Sequence, residues 1–423
     1  MNVSAPVALY IHVPFCLSIC PYCDFVVVAG RAARGPANRL EAFLAAIHVE
    51  LDLRADDLDT TVGSGRAPLS SIYLGGGTPS LLGPSQVCGL LDHVARRFGI
   101  ARDAEITLEA NPGRGDRGDL AGFRAAGVNR LSLGVQSLDP AELRTLGRRH
   151  GPADVTDAVA ESRAARFRSV NLDLLYDVPG QSLRSWEWTL HAALRLEPDH
   201  VSAYALALDD PDAEGATSPL GDRLPLRPGA GAWRRRARPA QDEDRAADQY
   251  EMAERRLVAA GLRRYELSNW ARRGHESRHN LAYWRCEAVE AVGPGAHAFD
   301  GALTRRWNAA RLEPYIASLR PADGGPAALP PGGRERLDPA TGRAEAAILG
   351  LRLRTGIDGA ALLDPALAAG LEWGIEAGLV EAGRRLRLTS RGRLLASELF
   401  VRLLPDTPRA APRAALHVQG TAA

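Results

Sequence analysis

An α/β architecture is predicted for this 423-residue chain: a partial, TIM-like (β/α)6 barrel followed by a small helical, winged-helix-like C-terminal domain. Three observations carry that expectation. Six short β-rich runs alternate with helical patterns, which implies a parallel sheet. A Gly/Pro-rich stretch from Pro321 to Gly342 separates this part from a compact terminal unit. A composition of 45% hydrophobic and 24% charged residues describes a globular chain with room for one large domain and a smaller one.

The six strands are expected at Val7 to Val13, Ser71 to Leu74, Ile106 to Glu109, Arg130 to Val135, Ser169 to Leu175 and His200 to Leu206. Between them, Asn38 to Arg54 carries Leu40, Phe43, Leu44, Ile47 and Leu51 at helical spacing, and Ser182 is placed to cap a helix ending at Leu196. Residues 1–210 thus form the core barrel and 211–245 an insertion. Within the insertion, Trp233 followed by Arg234, Arg235 and Arg236 reads as a solvated loop. Residues 246–320 form a post-barrel extension and 321–342 a linker. Residues 343–405, with an Arg-Leu-Arg-Leu-Thr strand, form the terminal domain, and 406–423 a disordered tail.

The 52 basic residues, all of them Arg, nearly cancel the 51 acidic ones. Without Lys there is no P-loop and no Schiff-base chemistry. The net charge of +1 gives no global field for nucleic acid. No apolar run approaches the roughly 20 residues of a membrane span, and no signal peptide is apparent, so a cytoplasmic protein is expected. Five cysteines, three of them within eight positions, suit thiolate ligands in a reducing compartment better than a disulfide framework.

Cys16, Cys20 and Cys23 stand at Cys-x3-Cys-x2-Cys directly after the first strand. This spacing wraps a loop around one metal centre. A structural zinc normally takes four protein ligands, whereas three thiolates on a four-iron cluster leave one iron open for a substrate or cofactor. A zinc site completed by His12, or simply buried thiols, are the other readings of these residues.

The motif resembles the signature of the radical S-adenosylmethionine (SAM) superfamily. Across residues 5 to 405 the chain is similar to the coproporphyrinogen III oxidase-like (HemN-type) group, within it the heme chaperone (HemW) branch. The resemblance implies a [4Fe-4S] cluster on Cys16, Cys20 and Cys23. It also implies SAM chelated by the open iron and cleaved, on reduction, to a 5'-deoxyadenosyl radical. Gly75-Gly76-Gly77-Thr78-Pro79 resembles the family's SAM-amino motif, where glycines permit close backbone approach. SAM contacts are implied for Tyr10, Tyr22, Gly76, Gly77, Thr78, Glu109, Gln136, Arg148 and Asp173. The polar residues that end barrel strands gather where barrel enzymes do their chemistry. Carboxylates suit ribose hydroxyls, and Arg148 is suited to fork onto a carboxylate.

Two departures bear on this reading. Asp177 stands where the family usually has Gly before Val-Pro-Gly-Gln, which leaves the local turn in question. Phe25 stands where porphyrinogen-oxidising members carry a fourth Cys, and only 15 residues precede Cys16. Both features of the second departure favour the chaperone branch. His279-Asn280-Leu-Ala-Tyr283-Trp284 resembles that branch's His-Asn-x-x-Tyr-Trp element, implying His279 as an axial ligand to heme and two aromatics lining the macrocycle. His275-Glu276-Ser-Arg-His279 also spells a zincin motif, but Gly274 and the lack of an apolar stripe argue against the helix it needs. Gly113-Arg-Gly115-Asp-Arg-Gly118 reads as a loop.

The reading that follows is a heme chaperone without coproporphyrinogen oxidase activity. It would bind a [4Fe-4S] cluster, SAM and heme, and deliver heme to hemoproteins, among them membrane respiratory enzymes. A flavodoxin- or ferredoxin-type donor is implied if SAM is cleaved, and a homodimer is compatible. The alternatives are an oxygen-independent coproporphyrinogen III dehydrogenase, a related radical SAM methyltransferase or cyclopropanase, and a redox-sensing nucleic-acid binder.

Overall fold

The computed structural model describes residues 4–29, 39–208, 229–321 and 324–405. The six expected strands form as β1 (Ala8–Val13), β2 (Leu69–Gly76), β3 (Ile100–Ala110), β4 (Arg130–Gln136), β5 (Ser169–Tyr176) and β6 (His200–Ala205). They pair in parallel in chain order. The helices between them include α1 (Arg39–Thr61), α2 (Pro84–Arg97), α3 (Leu120–Ala125), α4 (Pro140–Thr145), α5 (Pro152–Ala164) and α6 (Leu183–Leu194). The Ser182 hydroxyl caps α6 by accepting from the Ser185 N–H at 3.1 Å.

The sheet extends beyond the six strands. After α7 (Ala230–Ala237) and α8 (Glu243–Ala259), β7 (Arg263–Glu266) and β8 (Asn269–Ala271) add antiparallel beside β6. Then α9 (Arg278–Trp284) leads to β9 (Val289–Val292), a seventh parallel strand on the free side of β1. β10 (His297–Phe299), β11 (Thr304–Asn308) and β12 (Gly332–Arg336) continue that edge, with α10 (Leu312–Leu319) packed against α1.

Period-two alternation divides the strand side chains between two environments. Leu9, Ile11 and Val13 of β1, with Ile72, Leu74, Leu131, Leu133, Val170 and Leu172, face the helices and meet Phe43, Ile47 and Leu51 of α1 in the main core. The opposite faces present Tyr10, His12, Ser71, Tyr73, Glu105, Arg130, Ser132, Asn171, Asp173 and His200, all buried. The barrel lumen is therefore polar, held together by hydrogen bonds such as Asn171 to Asp173 at 2.7 Å and His200 to Asn171 at 2.6 Å.

A separate core gathers Ala344, Leu351, Leu371, Leu386, Leu399 and Leu403. It comes from α11 (Pro339–Arg352), α12 (Ala368–Glu376), α13 (Ser390–Leu394), α14 (Ala396–Leu403) and a small sheet of β13 (Ile357–Asp358), β14 (Val380–Glu381) and β15 (Arg385–Leu388). This unit is mainly helical with a three-stranded sheet, and its first helix begins at Pro339, inside the stretch expected as a linker. The tail expected to be disordered lies outside the described residues, as does the insertion before Gly229.

The Trp233 to Arg236 stretch is not a solvated loop. It lies in α7, where Trp233 donates its indole N–H to the Thr145 carbonyl at 3.2 Å and Arg234 is only 3% exposed. The charge run is amphipathic in place: Arg234 turns inward while Arg235 and Arg236 stay exposed.

Candidate functional site

The cysteine loop leaves the C-terminal end of β1 and is stitched down on several sides. Phe15 and Cys16 pair with Val28 and Ala29, closing the loop at its base, and Phe15 buries its ring edge-on against Phe43. The Gly77 N–H donates to the Val13 carbonyl at 2.9 Å, and the Thr78 N–H to the Phe15 carbonyl at 2.7 Å. His12 donates from Nε2 to the Val26 carbonyl at 2.7 Å, so its Nδ1 accepts from the Tyr10 hydroxyl at 3.0 Å. Both ring nitrogens are thus committed, and His12 is not placed to complete a zinc site.

The glycines of the Gly75 to Gly77 run answer first to this packing. A Cβ on Gly77 would sit 2.7 Å from the Phe15 carbonyl oxygen, and one on Gly76, whose φ is +102°, 2.3 Å from the His12 ring.

The three thiols are near enough for their charges to interact. Thr78 donates to the Cys16 sulfur at 3.5 Å, and Arg148 to the Cys20 sulfur at 3.6 Å. Burial, with the neighbouring sulfurs adding to it, pushes the Cys16 thiol up to about 11 and the Cys23 thiol up to about 12. Without a cation these groups remain protonated, so a metal that binds them must displace protons. Among the described residues no group of three or more His, Cys, Asp or Glu forms a site for a single metal ion. Three soft sulfur donors backed by an Arg and a Thr fit an iron–sulfur cluster with one iron left to another ligand.

Beside the thiols, the polar residues that end the strands converge. Glu109 accepts from Tyr73 at 3.0 Å and from the Gly76 N–H at 3.1 Å. Its carboxyl is pushed up to about 8, chiefly by burial and then by the charge of Asp173. Asp173 accepts from Ser132 at 2.9 Å and is likewise raised by burial. Gln136 ends β4 in the left-handed region at φ 68°, beside Arg148. Arg148 donates to the Gly134 carbonyl at 2.7 Å and to Asn111, and keeps a buried Nε without a partner. Tyr22 lies by Arg148, Cys20 and Cys23. Contacts thus bring Cys16, Cys20, Cys23, Tyr22, Gly76, Gly77, Thr78, Glu109, Gln136, Arg148 and Asp173 together at one end of the barrel. Tyr10 lies one strand layer deeper, against Tyr73 and His279.

Asn111, Tyr73 and His12 also touch members of this group. Asn111 links Arg148 to Thr78, donating to the latter at 3.1 Å. It directly follows the last residue of β3, two positions after Glu109, so the strand-end rule that selects Glu109 reaches it as well. The turn at Asp177 forms despite the missing glycine. Asp177 adopts φ 55°, and its carboxylate is held by Arg245 at 2.5 Å and by the Asp242 N–H at 3.2 Å.

His279 is elsewhere. It caps the opposite, N-terminal end of the lumen, fully buried, with Nδ1 3.2 Å from Ser71 Oγ and its ring 5.1 Å from those of Tyr73 and Tyr283. Burial and nearby Arg130 lower its pKa to about 3, so the imidazole is neutral, and Nε2 has no partner. Trp284 is not open to a macrocycle: it is buried, and Arg352 of α11 stacks on its ring at 4.3 Å. His275 lies before α9, so the zincin pattern does not occupy one helix.

Comparison with known proteins accounts for this arrangement. Residues 10–193 match the model of the radical SAM superfamily. The chain is 40% identical to heme chaperone HemW of Mycobacterium tuberculosis over 400 residues, covering 94% of this chain and 95% of that protein. It is 37% identical to heme chaperone HemW of Escherichia coli, covering 69% and 70%. Coproporphyrinogen III oxidase (HemN) of Escherichia coli, a radical SAM enzyme, matches in structure with a TM-score of 0.75 over 95% of this chain and 91% of its own; at 22% identity this likeness shows the shared fold. The polar barrel with its three-thiol loop therefore belongs to the radical SAM superfamily, and within it to the heme chaperone HemW family.

Proposed function

We propose that the protein is a heme chaperone that holds a [4Fe-4S] cluster on Cys16, Cys20 and Cys23, binds SAM at the same end of the barrel, and carries heme as cargo to recipient hemoproteins. The observation that carries this reading is 40% identity along 94% of the chain to a protein named a heme chaperone. Phe25, 42% exposed where the oxidases carry a fourth cysteine, agrees with it.

When bound, the cluster supplies an open iron that chelates SAM and an electron that drives its cleavage. The chain's own groups do the rest. Gly76 and Gly77 present backbone to the SAM amino group, with Thr78 alongside. Glu109 and Asp173 accept from ribose hydroxyls, whose hydrogen bonds favour the ionised carboxylates. The free Nε of Arg148 takes the SAM carboxylate. Gln136 and Tyr22 stand beside Arg148, and Tyr10 acts from one layer deeper by fixing His12 beneath Gly76.

His279 ligates heme iron through its unpartnered Nε2. Heme reaches that atom only when α9 leaves the barrel floor, breaking the Ser71 contact, the His279 N–H bond to Glu105 at 3.3 Å and the Arg278 to Asp103 ion pair at 3.0 Å. Among the described residues no helix is long and apolar enough to cross a membrane. We place the protein in the cytoplasm, meeting membranes through recipients such as respiratory enzymes, with a flavodoxin- or ferredoxin-type electron donor and homodimer formation in the same scheme.

The test is anaerobic reconstitution followed by heme titration of wild type, His279→Ala and the Cys16/Cys20/Cys23 triple Ala variant. Wild type binds heme and does not convert coproporphyrinogen III to protoporphyrinogen IX, the triple variant loses iron and sulfide, and His279→Ala loses heme. Substantial porphyrinogen turnover selects the oxygen-independent dehydrogenase, and undiminished heme binding by His279→Ala removes that ligand.

A further inference from the structure

We propose that Arg234 is a positioning residue for the metal-binding loop, an inference that rests on the cluster reading of Cys16, Cys20 and Cys23. The loop between Cys20 and Cys23 is a tight turn closed internally by the Cys23 N–H to the Cys20 carbonyl at 3.1 Å. From α7, more than two hundred residues later, Arg234 reaches into it. Its Nε donates to the Pro21 carbonyl at 3.4 Å, its Nη2 to the Cys23 carbonyl at 3.2 Å, and the same nitrogen pairs with the Asp24 carboxylate.

A guanidinium this deeply buried is normally there because it is paired and hydrogen-bonded. Here every partner belongs to one four-residue stretch that carries the third thiol. Arg234 thus holds the backbone of the turn, while Arg148 holds the Cys20 sulfur. The indole of Trp233 fastens α7 to the carbonyl of Thr145, three residues before Arg148, so both arginines are anchored through one surface. The planar fork matters. An ammonium group is a point donor on a flexible stem and does not span two carbonyls and a carboxylate in the same geometry.

Two consequences follow. Removing the guanidinium frees the turn, so Cys23 is held less firmly on the cluster. It also leaves the Asp24 charge uncompensated beside the cluster, which disfavours adding an electron and moves the reduction potential to lower values. Neutralising Asp24 alone does the reverse, because the Arg234 charge is then unbalanced.

The experiment compares wild type, Arg234→Ala, Arg234→Lys, Asp24→Asn and Arg236→Ala as full chains, the last altering an exposed residue of the same helix. Three quantities are read: hydrogen exchange of residues 16–28 in the metal-free chain, iron release to a chelator after anaerobic reconstitution, and the potential of the cluster. Arg234→Ala should exchange and release iron roughly tenfold faster, as expected for losing hydrogen bonds to a charged donor, with a lowered potential. Arg234→Lys should fall between it and wild type, Asp24→Asn should raise the potential, and Arg236→Ala should match wild type. If exchange, iron release and potential in Arg234→Ala equal those of wild type, the proposal is overturned; equal effects from Arg236→Ala overturn it too. Should Arg234→Ala not fold, wild-type behaviour of both Arg234→Lys and Asp24→Asn overturns it. A wild-type chain that builds no cluster defeats the cluster reading instead, and the exchange comparison still decides the role of Arg234.

Discussion

Replacing Glu109 by Gln should flatten the pH dependence of folding stability in the metal-free protein. An ordinary Glu releases its proton near 4.5, whereas in the fold burial and Asp173 hold the Glu109 proton until about 8. Between those values the folded chain keeps a proton that the unfolded chain has lost, so stability falls as pH rises through this window and is lowest above it. The two values lie about 3.5 apart, and each pH unit is worth about 1.4 kcal/mol, giving a ceiling of roughly 5 kcal/mol. Asp173 is raised as well and shares the penalty, so about 2–5 kcal/mol is the expected contribution of Glu109 alone. Gln retains an oxygen for the Gly76 N–H or the Tyr73 hydroxyl but has no proton to lose. The assay is urea unfolding of wild type and Glu109→Gln at half-unit steps from pH 5 to 9, comparing slopes rather than absolute stabilities. If the two curves run parallel across that range, Glu109 ionises normally in the fold and the account of the buried carboxylate pair is wrong.

The same titration predicts that SAM binding near pH 7 releases close to one proton, since hydrogen bonds from ribose hydroxyls favour the ionised carboxylate; calorimetry in buffers of different ionisation heat measures it, and a buffer-independent enthalpy contradicts it. Gly77→Ala should cost about 1–3 kcal/mol and weaken iron retention, because its Cβ meets the backbone of Val13 and Phe15 rather than a flexible side chain; an unchanged melting temperature refutes the close approach. Heme uptake should level off with rising heme concentration at the rate of α9 opening, and Arg278→Ala, which removes the ion pair to Asp103, should raise the plateau. Uptake strictly proportional to heme concentration would mean that no such gate stands before His279.

The order of the barrel was legible in the sequence because each β-rich run carries its own signal and successive parallel strands sit side by side; β1 to β6 differ from the expected runs only at their ends. The seventh parallel strand was not. β9 is four residues long and joins β1, from which it is separated by nearly the whole barrel, so nothing local marks it. The strand-end rule selects Glu109 and Gln136, whereas Asp173 stands three residues inside the end of β5, and the cysteine spacing marks the loop. That rule also reaches Asn111, whose neighbour in space, Arg148, lies 37 positions away.

Arg234 shows the other limit. A run of three arginines after a tryptophan reads as solvated on composition, and only the packing of α7 against the cysteine loop turns one of them inward. His279 is similar: its motif is local, but its burial at the end of the lumen opposite the thiols depends on α9 folding back beneath β2. Chemistry held in short spacings, three thiols, a glycine run and a polar strand end, is written locally, since steric and coordination demands act over a few residues. Which charges are buried, which ring nitrogens stay unpartnered and which end of the barrel a residue faces are settled by contacts across the chain, because desolvation is a property of the assembled neighbourhood.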